Sequence, residues 1–242
     1  LGVTSDRLLP YGLQLVLLGE FFRLCPKPAA QVIDLLSRWF WVTSFTGWFG
    51  GVNTAQATRA LSEVRNLARG TGTGFSVVDF DAPAQPFPER FDGRSARVRA
   101  FMLYLASLRP RSLRGADSLD LGQLLATRGT RAVGYVFSNP GPLEELFSSP
   151  ANRMFIDGNQ FGQTFTDLTD LSDAELMEVL PTHGFPANSV RRLRSGDRVG
   201  LIKDRLDTLV AGEREFMSGL NVTLPSVRTA VSIADSEASD DE

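Results

Sequence analysis

The sequence predicts a mainly α-helical fold: a helical bundle, then a small α+β portion, then a disordered acidic tail. Three observations carry this expectation. Apolar residues recur at helical spacing in segment after segment. Two of these segments open on the Asn/Ser-x-x-Gln/Glu pattern of a helix N-terminus, at Asn53/Gln56 and Ser172/Glu175. Between Gly70 and Asp92 the composition shifts to Gly, Thr and Pro, which separates the two portions. The expected divisions are an N-terminal bundle over 1–70, a linker over 71–92, a second portion over 93–220 and the tail over 221–242.

Taken in chain order, Leu13 to Leu24 is apolar on nearly every side, starts near Pro10 and ends at Pro26, as a core helix does. A second helix is predicted from about Pro28 to Phe45, with Val32, Leu35, Leu36, Trp39, Phe40 and Thr43 on one stripe. It carries Trp39, Trp41, Phe45, Trp48 and Phe49 before Gly50 and Gly51 stop it. Such rings can stack on bases, but Arg38 is the only cation nearby in sequence, so they are expected to fill the bundle's hub.

The third helix runs from Asn53 to Arg69-Gly70 and presents Ala57, Ala60, Leu61, Val64 and Leu67 to its neighbours. In the linker, Phe75 to Phe80 is a candidate strand, and Pro83, Pro86 and Pro88 exclude continuous regular structure after it. Helix resumes from Gly93 to Leu108 with Val98, Phe101, Met102 and Leu105 inward and Arg94, Arg97 and Arg99 largely off that face. Ser172 opens a helix that Pro181 terminates, and a last helix over Val199 to Leu220 buries Leu201, Ile202, Leu206, Leu209 and Val210. From Ala234 to Glu242 only Ser, Ala and acidic residues remain after Ile233, too little apolar surface to offset chain entropy.

Composition narrows the chemistry. With one histidine, His183, and one cysteine, Cys25, the chain cannot assemble a zinc site, a dithiol centre or an internal disulfide from its own side chains. A reducing, cytoplasmic location is the expectation, with Cys25 as a small buried residue. The longest early apolar run, Leu13 to Phe22, is interrupted by Glu20 and is about half the length a bilayer requires, so no membrane partner is expected. No Gly-Lys phosphate loop and no Gly-x-Ser-x-Gly elbow occurs. Leu1 rather than Met opens the chain, and the expectation is a piece of a longer protein.

Charge is unevenly placed. The formal net charge is −3, yet Asp235, Glu237, Asp240, Asp241 and Glu242 lie in the last eight residues; without those five charges the body carries about +2. Apart from Lys27 and Lys203, all of its positive charge is arginine. Arg90 to Arg131 holds nine arginines against Asp92, Asp117 and Asp120, and Arg191, Arg192, Arg194 and Arg198 form a second run. Both are candidate phosphate contacts, with Arg94, Arg97, Arg191, Arg192 and Arg194 as the residues of choice for DNA; a solvated arginine face is the plainer reading.

The order LLPYGLQLVLLGEFF, RWFWVTSFTGWFGG, RFDGRSARVRAFMLYLASLRPRSL, SSPANRMFIDGNQ and VLPTHGFP, spanning roughly Leu8 to Phe216, resembles the C-terminal portion of the GmrSD-type family. In that family a ParB-like nuclease domain precedes a helical region and often an HNH-type nuclease module, in bacterial defence against modified phage DNA. The resemblance implies an HNH-like hairpin at Gly134-Tyr135-Val136-Phe137-Ser138, where a complete module carries a metal ligand and a histidine base. Gly134 has no ligand atom, and Tyr135, with a phenol pKa near ~10, is a poor base.

Asn152 and Asn159 fall where the family places asparagines and are expected to act as hydrogen-bonding pins. His183 matches a family histidine and is expected to be structural, with Glu175 and Glu178 as candidate carboxylate neighbours. The resemblance therefore implies a degenerate HNH-like portion without cofactor, contributing DNA contact, association with an upstream nuclease domain or other subunits, self-association or regulation. Two alternatives stand beside it. One is an active Mg2+- or Mn2+-dependent nuclease using carboxylates such as Asp157, Asp167 and Asp170 around Asn159; the other is a protein-binding scaffold without nucleic acid.

Overall fold

The computed structural model describes residues 3, 5–113, 117–139, 141, 145–157 and 164–225. Asn159 and the acidic end from 226 onward lie outside the described residues. The fold is mainly helical, with one small antiparallel sheet.

Helix α1 (Gly12–Leu24) and α3 (Thr54–Ala68) pack side by side, and the Glu20 carboxylate of α1 joins them. Glu20 accepts from Arg23 Nε and from Arg65 Nε of α3, both at 2.7 Å, and these two guanidinium groups hold its pKa down at about 2. Buried Gln14 ties α1 to α2 (Ala30–Thr46): its Nε2 donates to Thr43 Oγ1 and Ser44 Oγ at 3.0 Å each. Such satisfied pairs are what allow polar side chains into a core.

Helix α2 ends one turn earlier than Gly50 and Gly51 suggest. Gly47 adopts φ +77°, and a side chain there would meet Gln85, so the left-handed C-cap falls on a residue that has none. Trp48 and Phe49 consequently lie on a following 3-10 turn, Trp48–Gly51. The expected hub is present: Trp39, Phe40, Trp41 and Phe45 are buried, with Trp39 stacked on Phe75 at 5.2 Å and edge-on to Phe49 at 5.8 Å.

The capping box of α3 forms as read, with Gln56 N donating to Asn53 Oδ1 at 2.9 Å and Asn53 N to Gln56 Oε1 at 3.1 Å. No strand forms at Phe75 to Phe80. Its polar backbone is satisfied by a side chain instead: the Glu63 carboxylate accepts from Ser76 N at 3.1 Å and Val77 N at 3.2 Å, fastening the loop to α3.

Helix α4 (Ala96–Ser107) is the centre of the molecule, buried from Arg97 and Val98 through Ala100 to Ala106. The expectation that Arg97 lies off the buried face is corrected by this geometry, because the helix is enclosed on all sides. Helix α5 (Leu121–Arg128) leads to β1 (Val133–Tyr135), which pairs antiparallel with β2 (Arg153–Phe155). The register sets Gly134 opposite Met154 and Tyr135 opposite Arg153.

After α6 (Thr164–Asp170), α7 (Asp173–Val179) begins on the predicted capping box: Ser172 N donates to Glu175 Oε2 at 2.8 Å and Glu175 N to Ser172 Oγ at 3.3 Å. Helix α8 (Ser189–Arg194) precedes the long α9 (Arg198–Gly219). Leu201, Ile202 and Leu209 face inward on α9 as expected, but so do Arg205 and Glu213, whereas Leu206 and Val210 stay partly exposed. One buried apolar core runs from Leu8 to Val222 and includes side chains from both ends of the described chain.

Candidate functional site

Of the positions singled out in the sequence, Gly134 and Tyr135 lie on β1 and Asn152 immediately precedes β2. A side chain at Gly134 would press on the end of the Ile156 side chain, which would have to move aside. Tyr135 stacks on Phe147 with ring centroids 4.8 Å apart and planes at 15°, and the Arg153 guanidinium covers its ring at 3.3 Å from the centroid. Tyr135 thus serves as a platform for an arginine.

Asn152 is fully buried and acts as the pin expected of it. Its Oδ1 accepts from Phe137 N at 2.9 Å, and its Nδ2 donates to the carbonyls of Phe137 and Phe147, both at 3.1 Å. Asn152→Ala removes these three hydrogen bonds, two of them buried, and a loss of about 1–3 kcal/mol is expected in chemical denaturation.

His183 is buried, and its Nε2 donates to the Arg111 carbonyl at 2.8 Å, which fixes the tautomer that carries the proton on Nε2. Burial lowers its pKa to about 4, reinforced by the Arg205 charge and opposed by the Arg111 hydrogen bond and by Asp157. Glu175 instead caps α7 and Glu178 pairs with Arg111, so neither of these two carboxylates is the partner of the ring.

Beneath His183 lies Arg205, fully buried. It donates Nε and Nη2 to the His183 carbonyl at 3.1 and 2.8 Å and Nη1 to the Ala151 carbonyl, with its guanidinium 4.4 Å from the Phe185 ring centroid. Desolvation pulls its pKa down to about 9. The Asp157 carboxylate takes the Ser112 hydroxyl, and Asp167 and Asp170 sit on α6. Among the described residues, no three His, Cys, Asp or Glu side chains form a group that could hold a metal ion.

The basic runs part company in the structure. Around α8, Arg192 is held by Asp204 at 3.0 Å and Asp197 at 2.5 Å, and Arg194 by Asp173 at 2.9 Å and by the carbonyls of Thr169 and Leu171. Two of the candidate phosphate contacts are therefore engaged locally, while Arg191 is exposed. Arg97 is removed from the surface altogether: it is buried and paired with Glu213 through both carboxylate oxygens, at 3.0 and 2.5 Å.

What remains of the first run converges on a cavity of about 580 Å³, lined by Phe91, Asp92, Arg94, Arg99, Arg131 and Arg153 among others. Among the described residues, four arginines and one aspartate line it. Arg94 is 93% exposed and only loosely joined to Asp92 at 3.4 Å, and Arg131 is exposed with no ion pair among the described residues. Arg99 uses Nε on the Gly93 carbonyl and Nη1 on the Leu9 carbonyl, both at 3.2 Å.

Arg153 lies between Tyr135 and Phe91, whose centroid is 4.9 Å from its guanidinium carbon. Its Nε is buried without a hydrogen-bond partner, and desolvation lowers its pKa. Sequence reasoning missed this residue. Its isolation outside both arginine runs gave no signal; only strand pairing with Tyr135 brings it to the cavity. The chain matches no protein-family model, no curated protein and no solved structure.

Proposed function

We propose that this chain is a non-catalytic helical module of a GmrSD-like restriction and phage-defence protein, and that it contacts DNA through the arginine-lined recess beside the β1–β2 sheet. The observation that carries the DNA contact is the convergence of Arg94, Arg99, Arg131 and Arg153 on one cavity with Asp92 as the sole carboxylate of its lining among the described residues. Guanidinium groups present planar forks of N–H donors suited to phosphate oxygens, and an uncompensated cluster on a surface recess attracts a polyanion.

The non-catalytic part of the reading draws on the use made of the HNH-like positions. Gly134 lies against Ile156, Tyr135 carries Arg153, and Asn152 holds the backbone. Membership in a larger defence protein, with a nuclease domain or other subunits as partners, is supported by the order of sequence segments from Leu8 to Phe216. Among the described residues no helix is long and apolar enough to cross a membrane.

The test is duplex DNA binding as a function of salt. Each neutralised phosphate contributes about −0.9 to the slope of log K against log salt, so Arg131→Gln is expected to reduce the slope by about 1 without affecting stability. Binding that is insensitive to salt, or an unchanged slope in Arg94→Gln and Arg131→Gln, overturns the DNA reading. Metal-dependent cutting by the purified chain overturns the non-catalytic one.

A further inference from the structure

We infer that the recess takes a nucleotide phosphomonoester, such as the terminal phosphate of a nucleic-acid strand, in preference to an internal phosphodiester; this rests on the reading of the same site as the DNA contact. The argument begins with charge. The lining carries formally +3, from Arg94, Arg99, Arg131 and Arg153 against Asp92, gathered on one cavity. An internal phosphodiester brings one negative charge, whereas a terminal phosphate brings close to two near neutral pH and a third strong acceptor oxygen.

Donor supply fits the same ligand. Arg99 spends two of its N–H groups on backbone carbonyls, and Arg94 contributes only Nε to Asp92. Arg131 has all five of its N–H donors available, since it forms no hydrogen bond among the described residues. Arg153 adds a fourth cation to the lining, although its Nε is enclosed by protein. Clamped between the Phe91 and Tyr135 rings, this guanidinium has its orientation fixed before a ligand arrives.

Shape agrees with charge. A volume of about 580 Å³ falls within the range of small-ligand sites and accommodates a nucleotide as well as its phosphate. The walls come from three places in the chain, the segment leading into the first turn of α4, the start of β1 with the residues before it, and β2. A run of internal phosphates is better served by a linear track of cations.

The experiment uses the whole chain and three oligonucleotides of one sequence, bearing a 5′-phosphate, a 3′-phosphate or hydroxyl groups at both ends, compared by fluorescence anisotropy. Adenosine monophosphate is titrated separately by calorimetry. At least one phosphorylated end is expected to bind about tenfold or more tightly than the hydroxyl-ended strand, as for one or more added charged hydrogen bonds. Arg153→Gln and Arg131→Gln should each erase that difference, and the second, at an exposed position, keeps the test valid should the first disturb the sheet.

Three outcomes separate the two readings. Equal, steeply salt-dependent binding of all three strands, with no heat from adenosine monophosphate, overturns the terminal-phosphate inference and leaves DNA contact standing. Binding of adenosine monophosphate that Arg131→Gln abolishes, with no strand bound, supports the phosphomonoester site and overturns DNA contact. No binding of any of the four probes overturns both.

Discussion

Glu213→Ala is expected to lower folding stability by about 3–5 kcal/mol, because it leaves a buried arginine without its counter-charge. The carboxylate is 1% exposed and receives two hydrogen bonds from Arg97, joining α4 to α9 across the middle of the core. Arg97 also donates Nε to the Pro86 carbonyl at 3.0 Å and the Gln85 carbonyl at 3.3 Å, and its guanidinium lies 5.3 Å from the Phe45 ring centroid. Without Glu213 the cation stays buried with carbonyls and a ring but no counter-charge. That deficit, more than the worth of the bond itself, sets the size of the loss.

The double variant Arg97→Met/Glu213→Leu separates the two contributions. It removes both charges together, and more than half of the stability lost in Glu213→Ala should return. Urea denaturation monitored by tryptophan fluorescence reads both variants. A shift below about 1 kcal/mol in Glu213→Ala would show that water or rearrangement neutralises Arg97, contrary to the enclosed geometry.

Acid is expected to destabilise the fold well before the carboxylates protonate. His183 has an ordinary value of 6.5 when unfolded and about 4 in the buried site. Between these values the unfolded chain takes up a proton that the folded chain refuses. Stability therefore rises with pH through this window, and its contribution of about 3 kcal/mol is lost as pH falls from 6.5 to 4.

His183→Gln keeps a side-chain N–H within reach of the Arg111 carbonyl while deleting the titration. Its stability should be nearly level from pH 6.5 to 4, while the native protein declines. Below about pH 4 both should fall together, because Glu20, Asp92, Glu175, Asp197 and Asp204 are all held below their usual range by hydrogen bonds and arginines. Parallel pH profiles for the two proteins would mean that His183 is protonated in the fold.

The arginine-lined recess was only half legible in the residues. Nine arginines between Arg90 and Arg131 announce a basic surface, and Arg94 and Arg131 do line the recess. Arg97 belongs to the same run yet is buried, and Arg153, outside it, lines the recess. Charge density along a chain does not say which cations meet carboxylates. For Arg97 the carboxylate lies 116 residues away, and for Arg192 it comes from the next helix.

The helices, by contrast, were readable because their signals are local. Capping at Asn53/Gln56 and Ser172/Glu175 is completed within three residues, and the apolar stripes of α1, α3 and α4 repeat within one or two turns. The candidate strand at Phe75 to Phe80 failed for the opposite reason: a strand requires a partner, and Glu63 satisfied that backbone first.

Mainly helical class, helix starts and the apolar hub were thus written into the order of amino acids, since a helix closes its hydrogen bonds with residues four places away. The fates of Arg97, Arg153, Arg205 and Glu213 depended on which distant segments the core brought together. A charged side chain is driven outward by its hydration unless some remote carbonyl, ring or carboxylate compensates, and that compensation exists only once the chain has folded.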